Sequence, residues 1–150
     1  MVRLVSQRIQ VADEYETVQN LYLARGWTDG LPVVPPTPER VEAMLAGTNL
    51  DPQHVVAEVP PNWGAATVEK LAVNAVMAGC LPEYLPGLVA AVEAMSDPAF
   101  NFYGIQATTH PCAPLLLSTD PLGIPWGLTV PPGRTARVGG PMPPLAGRYV

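Results

Sequence analysis

The stretch GAATVEKLAVNAVMAGCLPEYLPGLVAAVEAM, Gly64 to Met95, decides the fold. Its first half is apolar nearly all the way round a helical wheel. Val68, Leu71, Ala72, Ala75 and Val76 form one face, and Val73 and Met77 extend it. Such a helix belongs at the centre of a core. The spacing predicts it from about Ala65 to Ala78. A Gly79–Cys80 break follows, then a second helix with Leu85, Leu88, Val89, Val92 and Met95 inward. Pro82 suits the first turn of that helix, and Pro86 must lie near its start or kink it. The two helices form a hairpin.

Working outward, residues 12–25 read as a helix with Val18, Leu21 and Tyr22 inward and Gly26 as its stop. Leu31 to Val34 suits a short extended segment. Thr37 as N-cap with Pro38 at the first helical position opens a helix that closes at Gly47. HVVAEV, residues 54–59, is a strand between two prolines. Phe102–Thr108 and Ala113–Ser118 are further strand candidates, split by a THPC corner. The expected class is α+β: a helical hairpin packed on short strands, as one domain over residues 1–119. Residues 120–150 are a Pro/Gly-rich extension, expected to be either disordered or, given Trp126, Leu128 and Val130, an interaction arm, the preferred reading.

Composition narrows the function. Only 14% of residues are charged, against about 25% in ordinary soluble domains. Mean hydropathy is +0.17. A surface this poor in charge suits a chain partly covered by another subunit, or by a second copy of itself. Nineteen prolines and thirteen glycines stiffen the loops. No apolar run reaches the roughly 18 residues of a membrane span, and the N-terminus has no signal-like core. Eight scattered basic residues and a net charge of −5 leave no nucleic-acid footprint. The expectation is a cytoplasmic protein with neither membrane nor nucleic acid as partner.

Three places carry candidate chemistry. Glu69, Lys70 and Asn74 are the strongly polar residues of the central helix, with Lys70 and Asn74 four apart on one face. Buried, they must be paired or face a cavity, which makes them candidates to anchor or protonate a substrate. The competing reading is that Glu69 and Lys70 point to solvent. In the THPC corner, His110 is a candidate general base and Cys112 a thiol near its imidazole. His-x-Cys alone falls short of a metal site, which needs three or four ligands. The competing reading is a hydrogen-bonded corner histidine. In GWTDGLPVVPP, Asp29 is a candidate loop acid, although Asp-Gly is also a turn pair. Trp27 and Trp63, each beside a glycine, could line a pocket with it. No phosphate loop, GxSxG or HExxH is legible, and no cofactor motif. Cys80 and Cys112 read as free thiols, with a disulfide or a thiol-redox role as alternatives.

The blocks WTDGLPVVPPTPERVEAML, ATVEKLAVNAVMAGCLPEYLPGLVAAVEAM and QATTHPCAPLLL, spanning about residues 26–118, resemble a largely uncharacterised bacterial family associated with UGSC-type selenoproteins. The matching blocks include Asp29, Glu69, Lys70, Asn74, Cys80 and His110. The resemblance implies a site assembled from loop, helix and corner. Long members of that family continue beyond the third block, and this chain lacks their redox motif. It therefore implies that the remainder of the site comes from another polypeptide. The resulting expectation is a subunit of a multi-chain enzyme, contributing to an interface pocket for acid/base chemistry, lyase- or hydrolase-like, on a small organic molecule. A non-catalytic binding or stabilising subunit is the alternative.

Overall fold

The computed structural model describes residues 3–116. The expected extension at 120–150 lies outside the described residues. Helices α1 (Tyr15–Ala24) and α2 (Pro38–Leu45) precede strands β1 (Val55–Val59) and β2 (Gly64–Thr67). Helices α3 (Val68–Met77), α4 (Leu85–Ser96) and α5 (Phe102–Ala107) follow. Single 3-10 turns at Pro82–Tyr84 and Pro98–Phe100 lead into the last two. The class is α+β, with a two-stranded antiparallel sheet.

The central helix begins three residues later than its apolar pattern predicts, because Gly64–Thr67 are taken by the sheet. Thr67 pairs with Val55, and Ala66, Ala65 and Gly64 with Ala57, Glu58 and Val59, with an irregularity at Val56. Thr67 then caps α3, its hydroxyl accepting from Lys70 N at 3.3 Å. The other orphan donors of that end also have partners: Val68 N donates to His54 O and Glu69 N to Pro52 O. A helix start buried beside a strand needs all of these bonds. At the far end Gly79, at φ +74°, lets Cys80 N reach Ala75 O while Gly79 N reaches Val76 O. That paired bonding is a Schellman stop.

The main core cluster is built from three helices, with Val18 and Tyr22 of α1 and Ala66 of β2 buried outside it. Val41, Met44 and Leu45 come from α2; Val68, Leu71, Ala72, Ala75 and Val76 from α3; Leu85 and Val89 from α4. The full predicted face of α3 is buried; Val68, Leu71 and Val76 each contribute about 1.5–3 kcal/mol, and the two alanines less. Within the predicted face of α4, Leu85 and Val89 are buried while Leu88, Val92 and Met95 are half-buried. Pro86 sits in the first turn of α4, where its missing N–H costs nothing.

Two strand expectations give way. Phe102–Ala107 is helical, because Asn101 caps it by accepting from Gly104 N at 3.3 Å. Just before it, Asp97 accepts from Ala99 N at 2.8 Å and opens the 3-10 turn. These local bonds override the β preference of Phe102, Tyr103 and Ile105. Ala113–Leu116 forms no strand, and Leu117 and Ser118 lie outside the described residues. Leu31–Val34 has no strand partner either. It is held by Gln19, whose side-chain amide donates to Val33 O at 2.9 Å and accepts from Val33 N at 3.2 Å.

Candidate functional site

Glu69 is 1% exposed, the one buried charged side chain among the described residues. Its carboxylate turns away from its own helix toward the N-terminal segment. Val5 N lies 3.1 Å from both oxygens, and Ser6 N donates to Oε1 at 2.8 Å. Gln53 Nε2 donates to Oε2 at 2.6 Å. Burial by itself would raise this carboxyl's pKa. The Ser6 hydroxyl, the Ser6 and Val5 amides and the Gln53 amide outweigh it and hold the group below its ordinary range. A carboxylate so fully donated to is a poor proton carrier. It works as a clasp joining residues 64 positions apart.

Its neighbours do not converge with it. Lys70 Nζ donates to Ala65 O at 2.8 Å, and no ion pair joins it to Glu69. Asn74 Nδ2 bonds back to Lys70 O at 2.8 Å, one turn earlier on the same helix. The three polar residues of α3 therefore serve three separate partners.

The loop and corner residues are elsewhere and outward. Asp29 is exposed, and its Oδ1 accepts from Leu31 N at 3.3 Å in an Asx turn. Trp27 belongs to the stop of α1. Gly26 N bonds Leu23 O, Trp27 N bonds Tyr22 O, and the Trp27 ring packs on Tyr22 at 5.7 Å. That apolar contact is the usual companion of a Schellman stop. The Arg25 guanidinium lies over the indole, also at 5.7 Å. His110 is exposed. Its N–H donates to Thr108 Oγ1 at 3.2 Å and its carbonyl accepts from Cys112 N at 2.8 Å, so local bonds make the corner. Trp63 is 58% exposed and stacks on Tyr103, with centroids 6.3 Å apart and planes within 9°.

Two concavities stand out, and none of the eight candidate residues lines either. A small apolar cavity of about 20 Å³ is bounded by Val59, Ala66, Leu71, Val92, Met95 and Phe102, with Ser96 as its polar member. It has room for about one water. An open groove of about 470 Å³ runs along Val56–Glu58 and across Glu93, Ser96 and Asp97. Among the described residues no three His, Cys, Asp or Glu side chains converge as metal ligands.

Both cysteines are free. Burial pushes the Cys80 thiol up, which makes it less reactive, while Cys112 is exposed. Alkylation of the native chain, followed by mass, is expected to modify the exposed Cys112 readily and Cys80 at least about tenfold more slowly. Rapid loss of both thiols would restore the thiol-redox reading.

Sequence reasoning missed Val5, Ser6 and Gln53 as partners of Glu69, and Tyr103 as partner of Trp63. The run FNFY at 100–103 signalled an aromatic cluster; nothing in VSQ at 5–7 announced a clasp. No described helix is long and apolar enough to cross a membrane. The chain matches no family model, no curated protein and no solved structure.

Proposed function

We infer that this chain is a subunit of a multi-chain assembly in a bacterial cytoplasm, and that it acts by binding and stabilising its neighbours. The observation that carries the reading is the placement of apolar side chains around the loop that Gln19 fastens. Leu23 on α1, Leu31 and Val34 in that loop, and Leu81 after α3 are exposed by 54%, 46%, 37% and 54%. Val34 N is tied to Met77 O at 3.2 Å, so the loop is held against the end of α3 with these side chains outward. A low-charge chain with such a surface is suited to association. The polar residues of α3, meanwhile, are engaged inside the domain.

A second reading, the enzyme subunit, rests on Asp29, His110 and Cys112. All three are exposed, so a neighbouring chain could complete a pocket around them for a small organic substrate. This version keeps the resemblance to the UGSC-associated family and moves the chemistry away from Glu69, Lys70 and Asn74. Native mass spectrometry of the chain, purified with its co-expressed genomic neighbours, tests both readings. A heteromeric or multimeric mass supports assembly, whereas a bare monomer contradicts it. Within an active assembly, His110→Ala and Asp29→Asn leave turnover unchanged under the binding reading. Loss of about 100-fold or more in turnover, the effect of removing an acid/base group, would favour the second reading.

A further inference from the structure

The end of the domain where the β1–β2 connection meets the end of α4 and the start of α5 has a surface that neither reading uses. Trp63 stands in the turn at φ +53°, a left-handed conformation that bulky residues rarely take. The hairpin thus holds the indole outward, stacked on Tyr103, while the two rings remain 58% and 51% exposed. On the same hairpin and the same end of α4, the open groove carries the carboxylates of Glu58, Glu93 and Asp97. Among the described residues that line the groove, none is basic.

The remainder of the chain is complementary to this surface. Residues 121–150 contain seven prolines and three arginines, with no acidic residue, although the whole chain has a net charge of −5. Val130–Arg137, VPPGRTAR, puts a proline pair two to six residues before Arg134 and Arg137. Proline-rich segments dock on aromatic faces in an extended helix, with little ordering cost. Arginines suit neighbouring carboxylates. Pro131 lies fifteen positions after Leu116, a tether of up to about 50 Å. A domain of this size has a radius of gyration near 13 Å, so the tether reaches. A tether of that length gives an effective concentration of order millimolar, at which even a weak contact is populated.

We propose that residues 130–137 dock on their own domain, with Pro131 and Pro132 against the Trp63–Tyr103 face and Arg134 and Arg137 over the Glu58, Glu93 and Asp97 groove. This contact is made within one chain and is independent of the assembly reading. A chain that docks its own arm would have to release it before a partner could take the aromatic face.

The test is zero-length carbodiimide coupling in the full-length chain carrying Arg134→Lys and Arg137→Lys, followed by peptide mapping of the monomer band. Coupling of the introduced amines should concentrate on Glu58, Glu93 and Asp97. Adding Trp63→Ala and Tyr103→Ala should reduce it about fivefold or more. Should that variant fail to fold by circular dichroism, the parent is compared at low salt and at about 0.5 M salt, where exposed pairs are screened. Groove-directed coupling that falls with salt supports the docking. Even coupling to the exposed Glu14, Glu39 and Glu83, coupling indifferent to salt, or coupling found only between chains overturns it.

Discussion

Replacing Glu69 with alanine is expected to lower stability by about 2–4 kcal/mol, the range for removing one partner of a buried, multiply hydrogen-bonded charge. For a domain of this size that is roughly 10 °C in the midpoint of thermal unfolding. The loss has two parts. The Gln53 amide and the amides of Val5 and Ser6 lose their acceptor, and the N-terminal segment is freed. Val5 is 60% exposed, so water takes over some of those bonds and keeps the cost in the lower half of the range for a buried charge. Glu69→Gln retains the volume and one acceptor oxygen but turns an NH₂ toward donors, so its cost should fall at about 1–2 kcal/mol. The pH dependence has a definite sign. The folded carboxyl lies below its ordinary 4.5, so the clasp contributes fully above the unfolded value. Its contribution is lost as pH falls through the folded one. Acid unfolding of Glu69→Ala should therefore show less pH dependence below 4.5 than that of the parent.

Leu85→Ala should cost a comparable amount, about 3 kcal/mol, by the transfer and cavity terms for a fully buried leucine. Leu85 is 0% exposed and opens α4 within the cluster shared by α2 and α3. It is held from both sides by backbone: the 3-10 turn at Pro82–Tyr84 before it and Pro86 in the same first turn. The site thus has little freedom to collapse onto the lost volume. Chemical denaturation gives the comparison directly. Leu116→Ala, at a residue 58% exposed, should change the unfolding free energy by less than about 0.5 kcal/mol. Equal effects at the two positions would contradict the three-helix core.

The helical part of the fold was legible because its signals are periodic and local. The apolar face of α3, the Thr37–Pro38 start of α2 and the stops at Gly26 and Gly79 are each fixed within a few residues. What misled were places where a local bond outranks propensity. Asn101 turns the aromatic run at 102–107 into a helix, and Gln19 stands in for the strand that Leu31–Val34 would otherwise need. The start of α3 shifted because Ala65 and Ala66 favour helix by propensity, and only pairing with the neighbouring strand Val55–Val59 draws Gly64–Thr67 into the sheet.

For the candidate site, burial of Glu69 was one of two open readings, the other pointing it to solvent, and its partners were not legible. A clasp between positions 5 and 69 leaves no periodic trace, since the donors are backbone amides that any residue would supply. Asp29 and Trp27 show the converse. Their turn and helix-stop chemistry was visible in Asp-Gly and in Gly26, and local structure accounts for both.

The most direct measurement is amide hydrogen exchange at Val5 and Ser6, corrected for intrinsic rates, in the parent chain and in Glu69→Ala near neutral pH. Protection at both amides in the parent, lost in the variant while the α3 amides stay protected or weaken only modestly, is the expected result. It would mean that the carboxylate holds the N-terminal segment. Unprotected Val5 and Ser6 in the parent would contradict the account, leaving a buried carboxylate free for chemistry.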